Sequence, residues 1–271
     1  MENVAEILGS LISKESVKEI EYCPKCNTPM HCKVNFMGYE QIVPCLCKCR
    51  SQEREEQEEQ ERLRQVKYRV ERLRQQGISD PQHEQYCFKN DDEVDSELST
   101  KCKKYANGFD QMLEQNIGLL FYGDVGTGKS FYACCIANAL IDNGIAALVT
   151  SMPRIINRFK SMTFQDDKNI FVNSFAKYPL VVIDDIGVEN GTEFAHEIMF
   201  QIIDTRYKSK KPLIVTTNLS PSDMKQPSNV GYKRLFDRII ECCVPLKVTG
   251  ESRRYGLMKN KQDVFNDFLK G

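Results

Sequence analysis

The sequence predicts an α/β fold in which a five-stranded parallel sheet is covered on both faces by helices, preceded by a small helical, cysteine-rich domain. Three observations carry this expectation. From about residue 86, the short apolar runs "GLLFYG", "IAALVTS", "PLVVIDD", "PLIVTTN" and "VPLKVTG" alternate with helical stretches such as "KSFYACCIANALIDNG". Strands separated in this way need crossover connections, which make a parallel sheet buried on both sides. The first run leads into "GDVGTGKS", which fits the glycine-rich loop G-x-x-x-x-G-K-[ST]. Finally, six of the 12 cysteines fall between residues 23 and 49.

The bulk properties narrow the class. A chain of 271 residues suffices for one large core and a small accessory domain. Its 41% hydrophobic and 28% charged residues are ordinary for a globular protein. No apolar run approaches the roughly 20 residues that span a bilayer. "MENVAEILGSLISKESVKEI" lacks the basic start and continuous apolar centre of a signal peptide. The expectation is a cytoplasmic protein without membrane attachment. A formal net charge of −1 excludes a broadly basic nucleic-acid coat, so DNA contact would need a local patch or clustered subunits. In a reducing compartment, clustered cysteines favour metal ligation over disulfides.

Residues 1–50 are expected to form an N-terminal helix and zinc-binding domain. Val4, Ile7, Leu8, Leu11 and Ile12 follow helical spacing, which suits either packing on this domain or docking of a partner. Cys23 and Cys26 form the two-residue-spaced knuckle used for tetrahedral Zn²⁺, and a second pair must come from Cys45, Cys47 and Cys49 of "CLCKC". Residues 51–85 read as a charged helical linker. Leu63, Val66, Val70 and Leu73 form a narrow apolar seam, Gly77 a stop, and Pro81 lies beyond it. Residues 86–271 form the α/β domain.

The loop after the first strand is a nucleotide clamp. Gly123, Gly126 and Gly128 allow tight turns that point N–H groups at a polyphosphate, with Asp124, Val125, Thr127 and the following Phe131 in the same cradle. Lys129 is expected to reach the β- and γ-phosphates, and the Ser130 hydroxyl to ligate Mg²⁺. The buried run Leu180–Ile183 presents Asp184, suited to hold the Mg²⁺ shell, and Asp185, placed to orient an attacking water. Thr216, Thr217 and Asn218 end another strand at the same rim, where open parallel sheets bind ligands. Asn218 is thereby a candidate contact to the γ-phosphate or the water, although such a strand end is commonly only a turn. Arg234 and Arg238 lie one helical turn apart. The bland reading is a solvated face; the functional one is a guanidinium supplied to a neighbour's phosphoryl group.

"GDVGTGKS", "LVVIDDIG", "IIDTRYKSKKPLIVTTNLS", "RLFDRI" and "TGESRR" occur in the order and spacing of DnaC-type (DnaC/DnaI/IstB-like) helicase loaders, which residues 86 to about 260 resemble. These belong to the AAA+ class of P-loop ATPases, together with phage replication loaders and transposon ATPase helpers. The resemblance implies an AAA+ core that binds ATP and Mg²⁺. Lys129 and Ser130 become the Walker A pair, Asp184 the Walker B aspartate, and Asn218 sensor 1. Asp185 stands where many relatives have a catalytic glutamate, and the shorter side chain implies slow hydrolysis. Arg238 matches the arginine finger with Arg234 as alternate, Arg254 matches sensor 2, and Phe88 of "QYCFKN" borders the adenine pocket. Loaders of this type often close a structural Zn²⁺ site with a C-x-C before a charged helix. That favours Cys47 and Cys49, with Cys45, His31 and Cys32 as substitutes.

The function implied is an ATP-dependent loader in DNA replication. It would hold a replicative helicase through its N-terminal region, bind single-stranded DNA, and assemble as a homo-oligomer through the ATPase domain. Its hydrolysis would be weak and DNA-stimulated. An IstB-type transposase helper shares the chemistry, and a non-hydrolysing adaptor stabilised by nucleotide shares the fold. A small-molecule kinase would need a substrate lid and acceptor site, which nothing in the sequence suggests. For the DNA strand, only Lys208, Lys210, Lys211 and Lys225 form a loose basic group; Arg206 and Tyr207 are further candidates, although a helix end packed against the sheet is the preferred reading for them.

Overall fold

The computed structural model describes residues 20–36, 38–92, 95–187, 193–225 and 230–270. The predicted helix of Val4 to Ile12 lies outside them. The chain forms two compact units, residues 1–67 and 68–271.

The first unit adds strand to a region expected to be helical. Strands β1 (His31–Phe36) and β2 (Tyr39–Pro44) pair antiparallel, with Cys32 opposite Val43. Helix α1 (Lys48–Gly77) begins just after them. Its first part is solvated on every side and carries ion pairs one turn apart, such as Arg54–Glu58 at 2.7 Å. Leu63 and Val66, the first half of the predicted seam, are exposed.

The second unit starts earlier than the expected boundary at residue 86. Val70 and Leu73, the second half of the seam, pack on its core. Gly77 is buried because its backbone passes the next layer closely; a Cβ there would stand 2.0 Å from the Ala147 carbonyl oxygen. Ile78 then pairs with Val149 in a parallel bridge. The stretch read as a linker is therefore divided, and residues 68–85 are part of the α/β unit.

Onward from there come the short helix α2 (Pro81–Glu84), a 3₁₀ turn at Phe88–Asn90, α3 (Ser96–Asn107) and α4 (Phe109–Glu114). The sheet strands follow as β3 (Gly118–Tyr122), β4 (Ala147–Ser151), β5 (Leu180–Asp184), β6 (Leu213–Thr217) and β7 (Cys243–Lys247). Between them run α5 (Lys129–Asp142), α6 (Met152–Lys160), α7 (Gln165–Ser174), α8 (Glu193–Ser209), α9 (Pro221–Lys225) and α10 (Val230–Cys242), and α11 (Arg253–Lys270) ends the chain. All five apolar runs of the sequence are strands. They form one parallel sheet in the order β4-β5-β6-β3-β7.

Both faces of this sheet are covered, as continuous apolar strands require. Leu119, Phe121, Leu180 and Val182 face α3 and α5, while Leu120, Val181, Ile183 and Val215 face α8 and α10. Each such side chain, fully buried, contributes about 1.5–3 kcal/mol. Arg206, weighed above as a DNA contact and as part of a packed helix end, takes the second role and lies in the interior at 1% exposure. It donates to the carbonyls of Phe175 (2.9 Å), Tyr178 (2.7 Å), Pro179 (3.2 Å) and Pro212, tying the entrances of β5 and β6 together. Tyr207 donates to Glu241 and Lys208 pairs with Asp204, so neither is held out as a ready contact for a strand.

Candidate nucleotide-binding site and metal centre

Because β3 lies between β6 and β7, the loop leaving β3 opens at the point where the strand order reverses. Gly123, Gly126 and Gly128 adopt φ of 143°, 87° and 106°, which L side chains avoid. At Gly126 a Cβ would also meet Ser252 Oγ at 2.1 Å, and the Arg253 N–H donates to the Gly126 carbonyl at 3.0 Å. The loop is thus pressed against the start of α11. Thr127 Oγ donates to the Asp124 carbonyl (2.9 Å), and the Lys129 ammonium donates to the carbonyls of Gly123 (2.8 Å) and Asp124 (2.6 Å). These contacts hold the lysine across the mouth of the cradle.

The strand ends converge on the same rim. Thr216, buried on β6, donates its hydroxyl to Asp184 Oδ1 at 2.6 Å and accepts the Asp185 N–H at 2.8 Å. That single oxygen orients both acids. Asp185 has φ of 55°, a left-handed conformation costing about 1–3 kcal/mol for a residue with a side chain. Its side chain is exposed.

A cleft of about 450 Å³ joins these groups. Val125, Gly126, Gly128, Lys129, Ser130 and Phe131 line it from the loop and α5; Asp184, Asp185 and Asn218 line it from the strand ends. Gly123, Asp124 and Thr127 shape the loop behind. The structure adds Gln82, His83, Tyr86, Thr216 and Arg253 to the lining. Of these, the α2 segment carried a local signal only for a helix start: Asp80 caps it by accepting the Gln82 N–H, and Pro81 opens it. Nothing local tells that the His83 ring comes within 4.0 Å of Asp184 on β5.

Some expected residues stand elsewhere. Phe88 packs on the core with Lys103 above its ring, and Tyr86 of the same stretch takes the cleft wall, 5.5 Å from Phe131 between centroids. The Arg254 side chain lies outside the described residues. Its neighbour Arg253 pairs with Asp92 at 3.0 Å and stands over Phe131 and Tyr132 at 5.8 and 5.6 Å. Arg238 does not line the cleft of its own chain. It pairs with Asp204 at 2.9 Å and stacks over Phe200 at 4.3 Å, whereas Arg234 is exposed.

In the first unit, the sulfurs of Cys23, Cys26, Cys47 and Cys49 lie within 4.8 Å of one another. Four thiolates at about 2.3 Å from a common Zn²⁺ have this spacing. Cys23 and Cys26 sit on a tight turn closed by the Asn27 N–H to the Cys23 carbonyl (2.8 Å). Cys47 and Cys49 flank the N-terminus of α1, whose dipole favours thiolate. The Thr28 hydroxyl, followed by nearby amides, holds the Cys26 thiol down to about 5. Hydrogen bonds to Cys47, Cys23 and Cys26 push Cys49 up to about 12, the behaviour of crowded thiols sharing protons. A divalent cation fits this donor set. Cys45 stands outside this group. Its sulfur donates to the Pro29 carbonyl at 3.6 Å, and burial raises its thiol.

Comparison with known proteins identifies the family and the fold. The family profile described as "IstB-like ATP binding protein" matches residues 30–262. The chain is 26% identical over 148 residues to the replicative helicase loader DnaI of Bacillus subtilis (strain 168), covering 51% of this chain and 48% of that one. It is 29% identical over 165 residues to the replicative helicase loader DnaC of Escherichia coli (strain K12), covering 59% and 64%. These matches thus span about half to two thirds of the curated relatives' lengths. In fold, it is similar to a crystal structure of the DnaC helicase loader, with TM-score 0.54 and 22% identity over 63% of this chain and all of that one. A DnaI crystal structure matches with TM-score 0.52 and 21% identity over 65% and 94%.

Proposed function

The chain belongs to the IstB-like ATP-binding protein family, and from that premise we propose that it is an ATP-hydrolysing helicase loader of DNA replication. One observation carries the reading: Lys129, Ser130, Asp184, Asp185 and Asn218, drawn from three strand ends, line one cleft. Lys129 binds the terminal phosphates once it leaves its loop carbonyls. Ser130 and Asp184 hold Mg²⁺, which when bound neutralises and orients the triphosphate. Asp185 orients the attacking water and takes its proton at the carboxylate, and Asn218 senses the terminal phosphate. Tyr86 and Phe131 form the apolar wall for the adenine ring, and Arg253, beside Arg254, is the cation at the start of α11. Cys23, Cys26, Cys47 and Cys49 hold a structural Zn²⁺.

A guanidinium from a second copy completes the site, so the active form is a homo-oligomer. Arg238 would have to leave Asp204 and Phe200 to serve, while exposed Arg234 is available without such a loss. The N-terminal unit holds the replicative helicase. Single-stranded DNA is met by the groove between α6 and α7, whose lining includes Arg158 and Phe164, a residue 71% exposed and suited to base stacking.

Phosphate release by the purified protein, with and without single-stranded DNA, tests the reading, together with capture of partners from a host lysate in ATP. Slow release that DNA accelerates and Lys129→Ala abolishes, with a ring helicase recovered, is the expected result. Unchanged release in Lys129→Ala would sink it. The IstB-like description of the matching profile keeps a transposase helper as second reading, and recovery of a transposase would select it.

A further inference from the structure

His83 is a cleft residue whose position the nucleotide motifs do not explain. Its backbone, not its ring, does the structural holding. Asn138 of α5 donates to the carbonyls of His83 (2.8 Å) and Tyr86 (2.9 Å), clasping the α2 segment to the helix that begins at the phosphate loop. Asp80, at the start of α2, is gripped by Arg154 of α6 at 2.9 Å. With its main chain pinned from two sides, the imidazole is delivered into the cleft at 17% exposure.

Two distances define where the ring stands. Nε2 faces Asp184 Oδ2 across 4.0 Å, beyond hydrogen-bond length, while Oδ1 of that carboxylate is engaged by Thr216. The ring centroid lies 5.7 Å from that of Tyr86, the first member of the aromatic wall that continues to Phe131. His83 therefore stands between the aromatic end of the cleft and its metal-aspartate end. Among the described residues, no hydrogen bond ends on its ring. The main chain is thus fixed while the imidazole stands at the acidic end of the cleft, 4.0 Å from Asp184 Oδ2, its ion-pair partner when protonated.

We propose that His83 is a positioning residue that donates a hydrogen bond to the terminal phosphoryl group beside Asp184, and so distinguishes the triphosphate from the diphosphate. This rests on the cleft being the nucleotide site. A donor that meets only the last phosphoryl group adds affinity for ATP and none for ADP. Because that bond is to a charged acceptor, its loss is expected to lower the ATP-over-ADP affinity ratio about tenfold.

The test is equilibrium binding of fluorescent ATP and ADP analogues, with Mg²⁺, to the full chain and its variants. His83→Ala should lose about tenfold in that ratio while its ADP affinity stays at the wild-type level, and His83→Gln, which keeps an N–H donor, should recover part of it. The chain has three histidines, His31, His83 and His196, and neither His31 nor His196 lines the cleft. In ¹³C-histidine NMR, the signal missing from His83→Ala should move on adding a non-hydrolysable ATP analogue and move less with ADP. An unchanged affinity ratio in His83→Ala, or a His83 signal equally displaced by both nucleotides, overturns the proposal while leaving the site intact. Failure of the wild-type protein to bind either nucleotide overturns the underlying reading instead.

Discussion

Thr216 illustrates how much rests on one oxygen. Its hydroxyl donates to Asp184 and accepts from the main chain of Asp185, so the two acids at the end of β5 share a single brace. Replacing it by valine preserves shape and β propensity but leaves the Asp185 N–H without this partner, at about 1–3 kcal/mol. Thr216→Val is expected to lower kcat for ATP on the order of tenfold, since small misplacements of reacting groups are costly, with little change in nucleotide affinity. Steady-state kinetics beside a binding titration check the split. A parallel loss of affinity would mean the hydroxyl serves the ligand rather than the acids.

Among the elements, the entry segment and α10 carry the sharpest consequences. Gly77 admits no side chain, because a Cβ would collide with the Ala147 carbonyl on β4. Gly77→Ala must push α1 off the sheet edge and should destabilise the second unit by about 1–3 kcal/mol, read as a lowered midpoint in chemical denaturation. On α10, Arg238 is engaged by Asp204 and Phe200, and Arg234 is exposed one turn earlier. Mixing Arg234→Ala or Arg238→Ala protein with Lys129→Ala protein separates them. The variant that lacks the shared guanidinium binds nucleotide normally, is inactive alone, and regains turnover when mixed, because its intact loop meets the intact arginine of the Lys129→Ala copy. The variant that stays active alone marks the arginine not used.

For the molecule as a whole, the division at residues 67 and 68 puts the four-cysteine cluster and the phosphate-loop cleft in separate units. One zinc per chain is expected by elemental analysis, lost in Cys26→Ser and under strong chelators. Nucleotide binding should survive that loss, whereas helicase capture should not. Residues 68–271 produced alone should fold cooperatively and bind ATP; a fragment beginning at residue 86 should not, because it lacks Val70, Leu73 and Ile78, which pack on the same core. Circular dichroism melts of the two fragments check the difference. Among the described residues, no helix is long and apolar enough to cross a membrane.

The five strands, the phosphate loop and the two strand-end acids were legible in the residues, because alternation of apolar runs and short-range glycine chemistry are local properties. The same holds for the cysteine knuckle, whose geometry spans only four residues. The hairpin between the cysteine pairs, the early start of the α/β unit, and the cleft residues His83, Tyr86 and Arg253 were not. Each depends on which segments meet after folding: Gly77 against Ala147, Asn138 against the carbonyls of α2, and Gly126 against Ser252. Local pattern specifies what a segment can become, but contacts between distant segments choose its neighbours, and a binding cleft is made of neighbours.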